Sequence, residues 1–214
     1  MDRVRLPGIL SRGGKYGWGL ACAVYAAVLY MVPNRFHLRT PVELPMTSID
    51  HAVPFIPATG WLYAGMFLFL VGTFIALRDL ERASRFLYAC AFVQLAAAVV
   101  FFLWPTVYPR ELFAIPAATH PANAALLEFF RALDAPANCL PSLHVTTGLL
   151  CAGALAPQLS TRAFAGIAAV AVLLAASALT FKQHYFADVA SAVPLGLLGY
   201  FLFFRWKRIE VRAH

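Results

Sequence analysis

The chain has 214 residues, of which 61% are hydrophobic and only 13% charged, and its mean hydropathy is +0.71. A soluble domain carries roughly half apolar and about a quarter charged residues, so one soluble core cannot hold this much apolar surface and the chain reads as an integral membrane protein. The net charge of +7 would suit nucleic acid, but the basic residues sit in short clusters between apolar runs, a membrane-topology pattern that argues against a nucleic-acid partner.

In chain order, the N-terminal "MDRVRLPGILSRGGKYGWGLACAVYAAVLYMV" joins a basic flank to an apolar core, as a signal peptide does. No clear small-residue cleavage site follows, and further apolar runs do, so this stretch is expected to stay as the first membrane helix, Tyr16–Val32. A bilayer core needs about twenty helical residues. Five more segments approach that length: Ile56–Leu77, Ser84–Trp104, Leu143–Ala156, Ala163–Thr180 and Tyr185–Phe204. The Leu143–Ala156 segment is short and stops at Pro157. Gly and Ala are plentiful in the last three, which lets helices pack closely. The expected architecture is one all-α domain over residues 1–214, an integral membrane six-helix bundle.

Basic residues orient it. With the N-terminus in the cytoplasm, 12 of the 17 Lys and Arg fall on that side, among them Arg3, Arg12, Lys207, Arg208 and Arg212. The other 5 are Arg35, Arg39, Arg110, Arg131 and Lys182. This asymmetry places both termini inside. Two longer connections then lie outside. The first, Pro33 to Phe55, is broken by Pro41 and Pro45. The second, Pro105 to Pro141, contains "PANAALLEFFRALD", where Leu126, Leu127, Phe130 and Leu133 have helical spacing and predict a short helix at the outer face. Cys22, Cys90 and Cys151 fall within apolar segments and no CxxC pair occurs, so the cysteines read as small buried hydrophobes.

The polar residues at the mouths of the last spans carry the chemistry. If the final helix begins near Gln183, His184 and Asp188 share one face at i,i+4 spacing. A carboxylate on one imidazole nitrogen fixes the tautomer and frees the other nitrogen as nucleophile or base. Lys182, two residues earlier, could hold an anion; equally, Lys182 and Asp188 could form an interfacial ion pair with His184 a bystander. His144 tips the balance. In "PSLH" (Pro141–His144), Pro141 halts any preceding helix and Ser142 is a fair N-cap, so Leu143 onward begins a helix whose free N–H groups form an anion site. Two histidines, a carboxylate and a lysine at one membrane depth point to function.

"PSLH" and "HYFAD" (His184–Asp188) resemble the second and third signature motifs of the type 2 phosphatidic acid phosphatase (PAP2) superfamily. Their spelling is closer to its inositol phosphorylceramide synthase-like branch than to the branch that writes "PSGH". The resemblance implies a PAP2-like membrane bundle that acts on a lipid phosphate or phospho-head group at the outer face, with water or an alcohol as acceptor and no metal or other cofactor. It implies that His184 attacks phosphorus, that Asp188 orients it, and that His144 protonates the departing alcohol and then activates the acceptor. Ser142 and the Leu143 backbone would cradle the phosphoryl oxygens.

The family's first motif, Lys followed seven residues later by Arg-Pro, is missing, and Arg110 in "PTVYPRE" is the candidate clamp in its place. The arginine expected before the third-motif histidine is also missing, since Ser177–Ala178 occupies that pair; Lys182 could replace its charge but not its bidentate fork. Competing readings are a metal site of His144, His184 and Asp188, a transporter, and a serine protease using Ser142. Around these, Asp50 and His51 are expected to cap or support a helix. His120, Glu111 and Tyr108 could touch a head group, Arg35, His37 and Arg39 form a basic edge, and Tyr185 and Trp104 are expected as interface aromatics.

Overall fold

A computed structural model describes residues 4–9, 11–206 and 209–212; the basic residues Arg3, Lys207 and Arg208 lie outside the described residues. Among these described residues eight α-helices follow in chain order: α1 (Arg12–Arg35), α2 (Ser48–Ala52), α3 (Gly60–Ala76), α4 (Leu80–Leu103), α5 (Pro121–Leu133), α6 (Leu143–Leu155), α7 (Thr161–Thr180) and α8 (Phe186–Tyr200). Four short strands accompany them: β1 (Val4–Pro7), β2 (Val42–Glu43), β3 (Thr106–Val107) and β4 (Ile209–Arg212). The protein is an all-α membrane bundle, with α5 at the position expected for the extra helix.

Among the described residues five helices are long and apolar enough to cross a membrane: Gly13–Arg35, Pro57–Ala76, Leu80–Leu103, Thr161–Thr180 and Phe186–Arg205. The expected sixth, α6, has 13 residues. At a rise of about 1.5 Å per residue it spans roughly 20 Å, short of a ~30 Å hydrocarbon core. The physical reason is its place in the bundle. It packs against α3, α4, α7 and α8, and Val145, Thr146, Leu150, Cys151 and Ala154 are buried. A helix enclosed by protein need not reach both interfaces, because protein groups can satisfy its ends. Arg82 does so here, donating from Nε to Ala154 O and from Nη2 to Gly153 O.

Close approach in the bundle rests on small residues, as the composition suggested. A Cβ at Gly199 would lie 2.8 Å from Val93 Cγ1, and one at Gly153 would lie 2.6 Å from the Tyr200 ring. Terminal strands β1 and β4 pair in parallel, Val4 opposite Ile209 through Pro7 opposite Arg212, so both chain ends meet on one face. The opposite end carries β2 paired with β3, the helices α2 and α5, and the N-termini of α6 and α8. Residues Tyr63, Leu127, Phe130, Ala178 and Phe181 form an apolar cluster that seats α5 on that end. Phe129 and Leu133 on its other side are more than half exposed, as an interfacial helix requires.

Candidate active site

α6 and α8 begin side by side. The Ser142 N–H donates to Asp188 O (3.1 Å), and the Thr146 hydroxyl reaches Ala192 O (3.3 Å). Ser142 occupies the N-cap position of α6 but makes no side-chain cap bond. Its hydroxyl is fully buried and has no partner, which corrects the capping role expected of that side chain. The first N–H groups of a helix lack intrahelical partners, so the α6 start presents an unspent hydroxyl beside unspent backbone donors.

His184 does not share a helical face with Asp188, as the i,i+4 reading expected. α8 starts at Phe186, with Tyr185 as N-cap, so His184 precedes the helix. Asp188 reaches back instead. Its Oδ2 accepts from the Tyr185 N–H (2.9 Å) and lies 3.2 Å from His184 Nδ1. His184 Nδ1 is also 3.1 Å from Cys139 O. A carbonyl oxygen only accepts, so Nδ1 carries the proton and Nε2 keeps its lone pair. Asp188 is fully buried and His184 nearly so.

His144 stands in the first turn of α6. Its ring stacks on Tyr63 of α3, centroids 3.8 Å apart and planes 12° from parallel, and meets Phe67 edge-on at 6.0 Å. His144 Nε2 lies 3.3 Å from Tyr63 O. The same reasoning puts the proton on Nε2 there and leaves Nδ1 as the open nitrogen. The two imidazole centroids are 6.3 Å apart.

Arg110 is buried in a 3₁₀ turn, Arg110–Leu112. Nη1 donates to Asp134 O (2.6 Å), Nη2 approaches Asp134 Oδ2 (3.4 Å), and Nε has no partner. Asp134 also accepts from the Tyr30 hydroxyl (2.9 Å). Burial raises its carboxyl above the ordinary value, against the opposing pull of Arg110 and Tyr30. Neither Asp134 nor Tyr30 was singled out by sequence. Tyr30 lies in the apolar run of α1, and nothing in the spacing links it to a residue 104 positions later.

Lys182 departs from its expected placement. Its ammonium is buried and donates to Val53 O (2.6 Å) and Asp50 O (3.1 Å), with the Phe113 ring 4.8 Å away. Burial lowers its pKa, and the charge of Asp50 opposes that. Tyr185 is fully buried rather than interfacial, its hydroxyl donating to Val107 O and its ring against Tyr108. Trp104 is half exposed. Of the outer-loop residues, His120 caps α5 by accepting from the Ala122 N–H, Tyr108 is buried, and Glu111 is exposed. Arg35, His37 and Arg39 are exposed. Among the described residues no three His, Cys, Asp or Glu side chains converge as a metal set would.

The site sets two imidazoles with different open nitrogens, Nε2 of His184 and Nδ1 of His144, near the start of α6. A model of the PAP2 superfamily matches residues 27–202. The chain belongs to the PAP2 superfamily, a group of phosphatase and phosphotransferase enzymes, and its apolar helices make it a membrane phosphatase-type protein that would act on lipid substrates. No curated protein and no solved structure matches it.

Proposed function

We propose that the protein cleaves or transfers a phosphate-containing group on a membrane lipid through a phosphohistidine on His184. The observation that carries this reading is the double contact at His184 Nδ1, from Cys139 O and Asp188, which leaves Nε2 with a free lone pair. Nε2 attacks phosphorus and forms a P–N bond. Burial lowers the pKa of His144 to about 3, so its open Nδ1 gains a proton from the hydroxyl of the incoming phosphate. The P–O bond to the lipid alcohol breaks, its electron pair leaves on oxygen, and His144 passes that proton to it. His144 then takes a proton from water, whose oxygen attacks phosphorus as the P–N bond breaks. An alcohol in place of that water makes the reaction a transfer, toward which the "PSLH" spelling and its likeness to the inositol phosphorylceramide synthase-like branch incline the reading.

Charge on the phosphoryl oxygens is met by the Ser142 hydroxyl, the Leu143 N–H and the uncommitted Nε–H of Arg110. These donors require no metal, so activity is expected to survive EDTA. The Lys and Arg asymmetry supports cytoplasmic termini, with the catalytic end, opposite β1 and β4, facing the exterior or periplasm.

The test is a panel of lipid phosphates offered to detergent-purified protein with EDTA present, beside His184→Ala and His144→Ala. Phosphate or head-group release by the wild type, lost in both variants, is the expected result. Equal traces from all three, with water alone and with inositol, glycerol or ceramide as acceptor, would overturn the reading.

A further inference from the structure

The turn that carries His184 is a left-handed end of α7, closed on its own side by the N–H groups of Lys182, Gln183 and His184, which donate to Leu179 O and Ala178 O, and held from outside by a second segment. Lys182 sits at φ 54°, in the left-handed region where a residue with a Cβ costs about 1–2 kcal/mol. Such strain persists only where the surroundings impose it. Beyond α7 itself, the surroundings are residues 47–59, from α2 at the end of the first outer connection to the N-cap of α3. The Ile56 N–H donates to Thr180 O (2.8 Å), and the Thr180 hydroxyl meets that of Thr59 (2.9 Å). The Lys182 ammonium takes the carbonyls of Asp50 and Val53 at the end of α2. Asp50 closes the loop: its Oδ1 accepts from the Phe186 N–H (2.6 Å), the first helical residue of α8 and 136 positions away in sequence.

Asp50 is itself rigid. It is buried, and its Oδ2 accepts from both the N–H and the hydroxyl of Thr47 in a capping box around α2. Burial opposes its ionisation, but the Thr47 and Phe186 hydrogen bonds and the Lys182 charge outweigh this and hold the carboxyl below its ordinary value. Two carboxylates therefore divide the start of α8. Asp50 takes Phe186 N–H, while Asp188 Oδ2 takes Tyr185 N–H and His184 Nδ1. Asp188 Oδ1 has no partner. Without the Asp50 carboxylate, Phe186 N–H is an orphan on the same helix end as this unspent oxygen. Rotation of Asp188 to meet it draws Oδ2 away from the nucleophile.

We propose that Asp50 and Lys182 are positioning residues, which set the His184 turn from the first outer connection, and that Lys182 acts through that backbone rather than as a phosphate ligand. The inference rests on the phosphohistidine reading for its kinetic consequence but not for its structural one, and the test separates the two. Wild type, Asp50→Ala and Lys182→Met would be compared by hydrolysis of a short-chain phosphatidic acid, by inhibition with inorganic phosphate, and by NMR of ¹⁵N-histidine-labelled protein in detergent.

In both variants kcat is expected to fall on the order of a hundredfold, the scale of an ångström-sized misplacement. KM and phosphate inhibition should stay within about twofold, and the double variant should lose little beyond either single one because both act on one turn. The His184 Nδ1–H resonance, assigned by its loss in His184→Ala, should move in both. A Lys182→Met enzyme with unchanged kcat and about tenfold weaker phosphate inhibition, the scale of one charge-assisted bond, would overturn the inference. So would an Asp50→Ala enzyme whose kcat and His184 resonance match the wild type. If the wild type is inert toward this lipid and toward every lipid and acceptor of the panel above, the phosphatase reading fails and the resonance alone decides: a shift sustains the positioning role and no shift ends it. Should Asp50→Ala not fold, Asp50→Asn, which keeps one of two acceptor oxygens, is expected to show a smaller loss of the same kind, and wild-type behaviour in it would count against the proposal.

Discussion

Tyr63 and His144 lie ring on ring, 3.8 Å between centroids and 12° from parallel, and the Tyr63 carbonyl takes the Nε2 side of the same imidazole. One residue of α3 thus fixes both the plane and the tautomer of the proposed acid–base histidine. The backbone contact survives any substitution, so the ring alone can be tested. Tyr63→Phe is expected to keep kcat within about twofold. Tyr63→Leu loses an aromatic stack worth about 0.5–1.5 kcal/mol, which corresponds to a roughly two- to tenfold drop in kcat. Steady-state hydrolysis of a lipid phosphate checks both, and a Tyr63→Leu enzyme with wild-type kcat would show that the stack is passive.

Ser142 offers a case where stability and activity should part. Its hydroxyl is buried without a partner, a state that costs the folded protein about 1–3 kcal/mol of desolvation. Removing it in Ser142→Ala should leave the melting temperature unchanged or slightly higher. A hydrogen bond from that hydroxyl to a phosphoryl oxygen, about 1.5–3 kcal/mol for a charged partner, would vanish, so kcat/KM should fall roughly ten- to a hundredfold. Thermal unfolding and kinetics on one preparation decide it. A drop in both together would mean that Ser142 is structural.

Much of this was legible because the signals are local. Apolar length locates α1, α3, α4, α7 and α8 within a few residues, and helical spacing locates α5. "PSLH" and "HYFAD" locate the two histidines because each motif includes its own helix start. What was not legible lies between segments distant in sequence. Tyr63 on His144 and Asp50 on Phe186 join residues 81 and 136 positions apart, and a single chain carries no spacing that pairs them. Lys182 illustrates the limit. A lysine near a histidine suggests an anion site by composition, whereas its left-handed backbone turns the ammonium toward two carbonyls. The bounds of α6 were legible to within one residue, but its counting as a full span was not, since span length follows from lipid exposure and α6 is enclosed by protein.

Arg110 and Asp134 allow a pH test. Asp134 has its carboxyl raised in the folded protein, above a reference of 3.8. The folded state then binds more protons than the unfolded one between the two pKa values, and stability falls as pH rises from about 4 through the folded value, flat beyond it. Asp134→Asn lacks this term, so its melting temperature should gain on the wild type across that interval and run parallel above it. The same substitution weakens the partner of the Arg110 guanidinium. KM for a lipid phosphate should rise several-fold, up to about tenfold, with kcat less affected. A constant gap in melting temperature from pH 3.5 to 7 would refute the assignment of Asp134 as the raised group.

Two glycines should respond in opposite directions, which tests the packing rather than the chemistry. At Gly199 of α8 an added Cβ would stand 2.8 Å from Val93 Cγ1 and 3.8 Å from Ala89 O on α4. Valine is stiff at χ1, so the contact is relieved by moving α4 from α8, and overpacking of this kind costs about 1–3 kcal/mol. Gly166 of α7 has nothing within 4 Å of the same position, and alanine there gains about 0.5–1 kcal/mol of helix propensity. Gly199→Ala should therefore lower the melting temperature in detergent and Gly166→Ala should hold or raise it. Val93→Ala added to Gly199→Ala should recover part of the loss, because it removes the atom that the new methyl strikes. Failure of that rescue would place the cost of Gly199→Ala somewhere other than the α4–α8 contact.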